Sequence, residues 1–390
     1  MVKNELKLEN LVMSFLVLIF VGNFLAKMSV FYFEDSFNRI NGIIKLAFEL
    51  VLVFYIIKNL RFEKSFLFTV LLILIAIVGN FAIGKSVSDF AKSYSSGSLF
   101  ILNNYIFITI FVTATQLYEF PKSFFSRTLE VIERLILLNC IFIIIGAIFD
   151  IEFFRTYPYS ARFGYNGFFV KNGEVSYLHM FIFAKYYWAY IQKNEIIWFR
   201  VLLIFIASLL IGKKIMILFL LLLFGYHLIV MSKQKKVFRV ISVALIALGI
   251  FFGRTLFHNL LSLSSFWATI HNEYGLLGTI TSTRSLNLEK SFDFISENWN
   301  LINYFFGGID YLKYRVEFEF VDLLLYFGLL GSATYVYFIK RYFFSNEFLF
   351  NSLLLIVLFC SSLAGGLFIS VLCMIIFYIF SQSLKVLNSD

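Results

Sequence analysis

Several groups of side chains in this 390-residue sequence have types and spacing suited to chemistry. Arg155 and Arg162 fall in Arg155-Thr-Tyr-Pro158-Tyr-Ser-Ala-Arg162-Phe-Gly164-Tyr-Asn166-Gly167, a stretch that closes on Lys171-Asn172-Gly173-Glu174. A guanidinium is a planar fork of donors suited to bidentate phosphate recognition, and Tyr and Phe faces suit stacking on sugar rings. Lys213 and Lys214 share a minimal turn after Gly212, where two adjacent ammonium groups call for lipid headgroups or an anionic ligand. Arg284 follows Thr281-Ser282-Thr283, hydroxyls able to cap a helix over about 285–297 with Leu288, Phe292 and Ile295 on one face. Glu317, Glu319 and Asp322 open an apolar run, with Glu319 and Asp322 on one face if it is helical. Carboxylates at the mouth of the hydrocarbon are costly unless paired, hydrated or functional. Near cations they can orient a hydroxyl, and a partly desolvated one has the raised pKa wanted in a general base. The competing readings are an ion pair with Lys313 or Arg315 for the carboxylates, and an interfacial belt with snorkelled stems for Arg155 and Arg162.

Other patterns carry less. Gly79 to Ser86 spells a phosphate-loop pattern, but that loop needs a strand before it and a cytosolic helix after it, whereas this segment ends an apolar run. Lys45 and Glu49, four apart, read as a neutralising pair on one helix face. Lys185 and Arg200 sit near a span boundary, where their stems can snorkel to headgroups. His258 and His271 lack metal-ligand spacing with any partner, and Cys140, Cys360 and Cys373 lie far apart in apolar runs. Neither a metal site nor a cofactor is expected.

The elements that must position these groups are membrane helices. The chain is 60% hydrophobic, 20% aromatic and only 15% charged, with mean hydropathy +0.85. An ordinary soluble domain is roughly half apolar and about a quarter charged. Apolar runs of about 20 residues, the length needed to cross a bilayer, recur along the whole chain. They fall near 10–30, 40–58, 65–84, 99–117, 131–149, 174–191, 196–211, 214–231, 238–256, 319–339, 348–363 and 367–383. The expected architecture is therefore all-α, a single polytopic transmembrane domain over 1–390 with about 12 spans (about 10 to 12, since the closest pairs could merge). Lys3 and Lys7 precede the first run and no small-residue cleavage site follows it, so it reads as a retained helix. Only Pro121 and Pro158 occur, both in loops, so no span is broken by proline and unwinding at glycine is the remaining option.

The positive-inside rule places Lys58, Arg61, Lys64, Lys122, Arg127, Lys193, Lys233, Lys235, Lys236, Arg239, Lys340 and Arg341 on cytoplasmic loops, with both termini inside. The outer face then receives the two longest connections: 150–173, and a large loop over 257–318, before the tenth span, with short amphipathic helices. The Lys213-Lys214 turn, also outer, is the exception to the rule. The net charge of +9 sits in short loops rather than on a basic folded surface, which excludes nucleic acid as a partner.

In order, these pieces run: an outer loop with Arg162 and a Lys171-Asn172-Gly173-Glu174 helix start, a Gly212-Lys213-Lys214 turn, a large outer loop with Ser282-Thr283-Arg284, Gly307-Gly308, and an acidic helix start closing on Gly328-Leu-Leu-Gly331. This arrangement, over about 155–335, resembles the O-antigen polymerase and O-antigen ligase superfamily, the Wzy-type polymerases of surface polysaccharides. The resemblance implies an enzyme of the bacterial cell (inner) membrane: a glycosyltransferase acting outside the membrane on glycans linked to undecaprenyl pyrophosphate, inverting, without metal or nucleotide sugar. It implies that Arg155, Arg162, Asn172, Glu174, Lys213, Lys214 and Arg284 bind pyrophosphate and glycan, and that Glu317, Glu319 or Asp322 takes the acceptor's proton. A chain-length regulator and a flippase are the partners it implies. The superfamily's ligases usually carry a His-Asn pair near this helix start, where this chain has acidic residues, and that favours a repeat-unit polymerase of O-antigen or capsule over a lipopolysaccharide ligase. Heavy use of Phe, Ile, Lys and Asn is common in surface-polysaccharide loci. The competing class is a polysaccharide flippase or other transporter, for which charge deep in several spans and short loops on both faces are expected; here the sequence reads as sparse in deep charge, with one long outer loop. A structural or sensory membrane protein would leave Arg162 and Arg284 individually dispensable.

Overall fold

A computed structural model describes residues 2–33, 39–59, 63–84, 97–160, 162–195, 197–231 and 265–387. The expected span near 238–256, His258 and the basic run Lys233 to Arg239 lie outside them. The described residues are helical, with one isolated antiparallel bridge between Arg155 and Tyr165 and no strand. In chain order the helices are α1 (Val2–Tyr32), α2 (Ile40–Asn59), α3 (Lys64–Ala82), α4 (Ser98–Leu117), α5 (Lys122–Ile148), α6 (Asn172–Lys193), α7 (Trp198–Leu210) and α8 (Lys214–Tyr226). They continue with α9 (Ser265–Thr281), α10 (Arg284–Asn298), α11 (Leu301–Phe306), α12 (Tyr311–Tyr314), α13 (Glu319–Phe343), α14 (Phe348–Ala364) and α15 (Val371–Leu387).

Among the described residues seven helices are long and apolar enough to cross a membrane: Leu8–Tyr32, Ile40–Asn59, Lys64–Ala82, Ser98–Leu117, Lys122–Ile148, Lys214–Met231 and Glu319–Phe343. Three more, Trp198–Leu210, Phe348–Ala364 and Val371–Lys385, are apolar but shorter. This is the architecture of a polytopic membrane protein. The 22-residue α6 is long enough to cross but carries Glu174, Ser176, His179 and Lys185 among its apolar residues. It tolerates them because α5, α7, α8, α14 and α15 enclose it and supply partners: His179 Nδ1 meets Ser208 Oγ at 2.8 Å. All three cysteines are buried and free.

Helix α4, apolar almost all round, sits at the centre. Its hydroxyls stitch it to α3, Thr109 to Thr69 at 2.7 Å and Thr113 to Ser65 at 2.9 Å, polar pairing that suits packing between membrane helices. Helix α13 is interrupted at Gly328 (φ 64°, ψ −169°), a conformation open to glycine and closed to L side chains. Gly307 lies against it, and Gly308 N–H donates to Leu325 O at 3.2 Å, so the broken turn finds a partner in the two glycines that follow α11. Asn303 Nδ2 completes the joint by donating to Gly79 O at 3.0 Å and Gly307 O at 2.7 Å. The break leaves the first part of α13 as a short half-helix whose start carries the acidic residues.

Candidate functional site

The connections 149–171, 212–214, 282–318 and 365–370 meet at one end of the bundle. The first is folded back on itself by Thr156 N–H to Gly164 O at 2.8 Å and Asn166 N–H to Phe154 O at 2.9 Å, and is joined to α7 by Tyr165 N–H to Leu210 O at 2.8 Å. From below, the Lys27 ammonium of α1 donates to Asn166 Oδ1 at 2.5 Å and Gly167 O at 2.6 Å. Asn166 Nδ2 in turn donates to Asn172 Oδ1 at 2.8 Å. A buried lysine thus fixes the loop and, through Asn166, the first residue of α6.

A cavity of about 350 Å³ opens among these connections. Four cations line it, Lys171, Lys213, Arg284 and Arg315, against two carboxylates, Glu174 and Glu317. Asn172 and Ser370 add polar groups to its wall. Arg284 Nε and Nη2 reach Glu317 Oε2 at 3.3 and 3.2 Å, and the same guanidinium donates to Leu363 O and Ala364 O at 3.2 and 3.3 Å. Glu174 accepts from Ser370 Oγ at 2.9 Å and pairs with Lys171 at 3.7 Å. Arg315 Nε lies 3.7 Å from Asp322. The Lys213 ammonium makes no hydrogen bond or ion pair with the described residues; the Tyr157 ring lies 5.6 Å away. Burial, then the charges of Arg162 and Arg284, pull its pKa down to about 8, against the opposing pull of Glu317.

The three candidate bases separate. Glu319 is 1% exposed and accepts from the N–H groups of Leu367 and Phe368 at 2.7 Å each, so it ties α13 to the connection before α15. Asp322, also 1% exposed, accepts from Val316 N–H at 2.8 Å and Glu317 N–H at 3.1 Å and so fastens the segment before α13 to the helix. Neither lines this cavity: backbone donors occupy their oxygens. Glu317 does line it, its side chain 45% exposed. Its backbone holds a positive φ of 66°, packed against Gly365, where a Cβ would sit 2.7 Å from Glu317 O. A left-handed conformation at a non-glycine residue beside a cation-lined cavity is a strain of the sort that clusters at functional sites.

The expected cations separate too. Arg162 stacks over Tyr157 at 4.0 Å and lies 5.3 Å from Trp267; it is set back from the cavity wall, and burial, ahead of the opposing Tyr157 charge, lowers its pKa. Lys214 turns away from Lys213, donates to Thr279 O at 2.7 Å and sits 3.4 Å above the Trp267 ring. Arg155 makes a bidentate pair with Asp150 at 2.7 and 2.8 Å, reinforced by Tyr165 OH at 2.6 Å, at an exposed position away from the cavity. Lys185 and Arg200 do not snorkel; both pair with Glu133. On α10 the buried stripe runs through Leu288, Ser291 and Ile295, leaving Phe292 59% exposed, and Thr281 rather than Thr283 receives the N–H of Ser285, at 3.4 Å.

Sequence reasoning missed Lys27, and it named Lys171 and Arg315 only as neighbours of candidate residues, not as cations of the site. Lys27 had a signal, since a lysine within an apolar run is a functional candidate by default. No protein-family model, curated protein or solved structure matches this chain. Function is therefore read from the cavity's own chemistry.

Proposed function

We propose that this chain is a bacterial repeat-unit polymerase of surface polysaccharide, a membrane glycosyltransferase that moves a glycan from undecaprenyl pyrophosphate to the non-reducing end of a second lipid-linked unit. The observation that carries the reading is one cavity lined by Lys213, Arg284 and Arg315 together with the exposed carboxylate Glu317. A leaving group that departs as a pyrophosphate ester needs concentrated positive charge where its negative charge develops. An acceptor hydroxyl needs a carboxylate within reach.

In the proposed step Glu317 accepts the acceptor hydroxyl's proton, that oxygen bonds to the anomeric carbon, and the bond from that carbon to the pyrophosphate oxygen breaks with its electron pair. Arg284 links the two halves. Without donor it is engaged with Glu317 at 3.2 Å; a pyrophosphate, carrying more charge, competes for the guanidinium and frees the carboxylate to act as base. One carboxylate and one stabilised leaving group suffice for direct displacement, so inversion is expected. The topology that goes with this reading has about 12 spans, both termini in the cytoplasm and the cavity on the outer face.

Transport remains the competing class, because the described spans hold more deep charge than the sequence suggested: Lys27, Lys45, Glu49 and Glu133 are all buried. Lys27 is engaged with a loop and Glu133 with two cations, which are scaffold roles. The test is a gel of surface polysaccharide from cells lacking the gene, complemented with wild type, Arg284→Ala or Glu317→Gln, each checked for membrane expression. The reading expects single repeat units in the deletion and both variants, and a ladder with wild type. A ladder persisting on the carrier without the gene contradicts polymerisation, and single units retained on the cytoplasmic side would mark a flippase.

A further inference from the structure

A second cavity, of about 550 Å³, lies beside the first, among α1, α2, α4 and the start of α15. The two share a wall of Val170, Lys171, Glu174 and Ile369. Inside the second sits Lys45, 8% exposed. Its ammonium donates to the neutral Asn104 Oδ1 at 2.5 Å, with the Phe100 ring 5.6 Å away. Glu49, one turn along, accepts from Asn103 Nδ2 at 2.9 Å; it meets the charge of Lys45, as the sequence led us to expect, but without a close ion-pair contact. Lys45 forms no ion pair with a carboxylate of the described residues.

A buried cation inside a membrane helix is costly unless something anionic meets it, and such residues mark ligand paths by default. Here the cation faces a cavity large enough to admit that partner. The mouth adds Arg39, at the start of α2, and the shared wall adds Lys171. The rest of the lining is mainly apolar, and it runs out over Ile43 and Leu46, which are 67% and 36% exposed on the outer face of α2. Positive charge at depth, amide groups beside it and an apolar exit toward the hydrocarbon fit an amphiphile with a phosphate head.

We propose that this cavity is a second anionic-lipid site, binding the phosphate head of a lipid at Lys45, Arg39 and Lys171 while the chain leaves over Ile43 and Leu46. A polyprenyl pyrophosphate and a bulk phospholipid share this chemistry. Naming the occupant as the second lipid-linked molecule of the polymerisation rests on the function proposed above; the phosphate-lipid site itself does not.

The test titrates full-length protein, in phosphatidylcholine nanodiscs, with farnesyl pyrophosphate, and separately with phosphatidylglycerol, counting bound lipid by native mass spectrometry. Wild type is expected to take two equivalents of farnesyl pyrophosphate. Lys45→Met, and Leu46→Trp, which narrows the exit without changing charge, each weaken one of them about tenfold, the effect of losing one charge-assisted contact. Arg284→Ala weakens the other. Lys45-dependent retention of phosphatidylglycerol in place of farnesyl pyrophosphate supports the site and assigns it to bulk lipid. If wild type takes only the Lys45-dependent equivalent and Arg284→Ala changes nothing, the pyrophosphate cavity fails and the second site stands. Binding of both lipids that is unchanged by Lys45→Met and by Leu46→Trp overturns the proposal.

Discussion

Two clusters in this molecule bring cations to a carboxylate, and they do opposite things with the charge. Around Glu133, 3% exposed, Lys185 and Arg200 both form ion pairs, with Arg200 Nη1 at 2.8 Å, and Tyr186 OH adds a third donor at 2.7 Å. These contacts tie α5, α6 and α7 together and satisfy both carboxylate oxygens. Around Glu317 the arrangement is open: Arg284 has turned half toward backbone carbonyls, Lys213 has no carboxylate, and a cavity of about 350 Å³ lies between. Saturated charge holds helices, and surplus charge beside empty volume is prepared for a ligand. Counting charged residues in the sequence would not have separated them.

The largest expected effect that would break this contrast is on turnover. Glu317→Gln keeps the side-chain shape and a hydrogen-bond acceptor for Arg284 but removes the base, and polymerisation by reconstituted protein should fall about 10² to 10⁴-fold with thermal stability unchanged. Arg284→Ala should cost about 10² to 10³-fold in the same assay, as for loss of one transition-state donor. The saturated cluster responds in stability instead. Glu133→Ala leaves two cations without their partner in the bundle and should destabilise the fold by about 3–5 kcal/mol, read as a lowered unfolding midpoint in detergent; an unchanged midpoint would show that cluster to be ornamental.

Smaller effects sharpen the comparison. Because the Lys213 pKa is drawn down to about 8, its ammonium loses the proton as pH rises through that value, and affinity for inorganic pyrophosphate should fall across the same window. The difference between wild type and Lys213→Met should therefore be large below about pH 8 and shrink above it, which separates the lysine from the titration of pyrophosphate itself. At the bottom of the scale, Arg155→Gln removes an exposed pair with Asp150 and should leave both the unfolding midpoint and activity unchanged.

What the sequence made legible follows from how far each signal reaches. Span positions were readable because apolar length is a local property: α2 to α4 fall within about two residues of the expected runs, while α1 and α5 reach the expected ends but begin well before the expected starts. The approach of the Arg162 loop, the Lys213 turn, Arg284 and the acidic helix start was visible only as an order along the chain, and all four supply a residue to the cavity or its second rank. Side-chain direction was not legible. Lys213 and Lys214 are adjacent, yet one faces the cavity and the other Trp267. Glu317 and Glu319 are two apart, yet Glu317 precedes the helix and stays open, while Glu319 enters it and is captured by amides nearly fifty residues on. Partners distant in sequence, such as Lys27 for Asn166 or Glu133 for Arg200, leave no local pattern at all.

The most direct test of the central claim, that surplus charge at Lys213, Arg284 and Arg315 makes an anion site, is calorimetric titration of the purified full-length protein with inorganic pyrophosphate at about pH 7, comparing wild type, Lys213→Met and Arg155→Gln. The account predicts binding by wild type and Arg155→Gln alike, with Lys213→Met about tenfold weaker, the worth of one charge-assisted contact. Absence of binding in wild type, or equal loss in both variants, would contradict it.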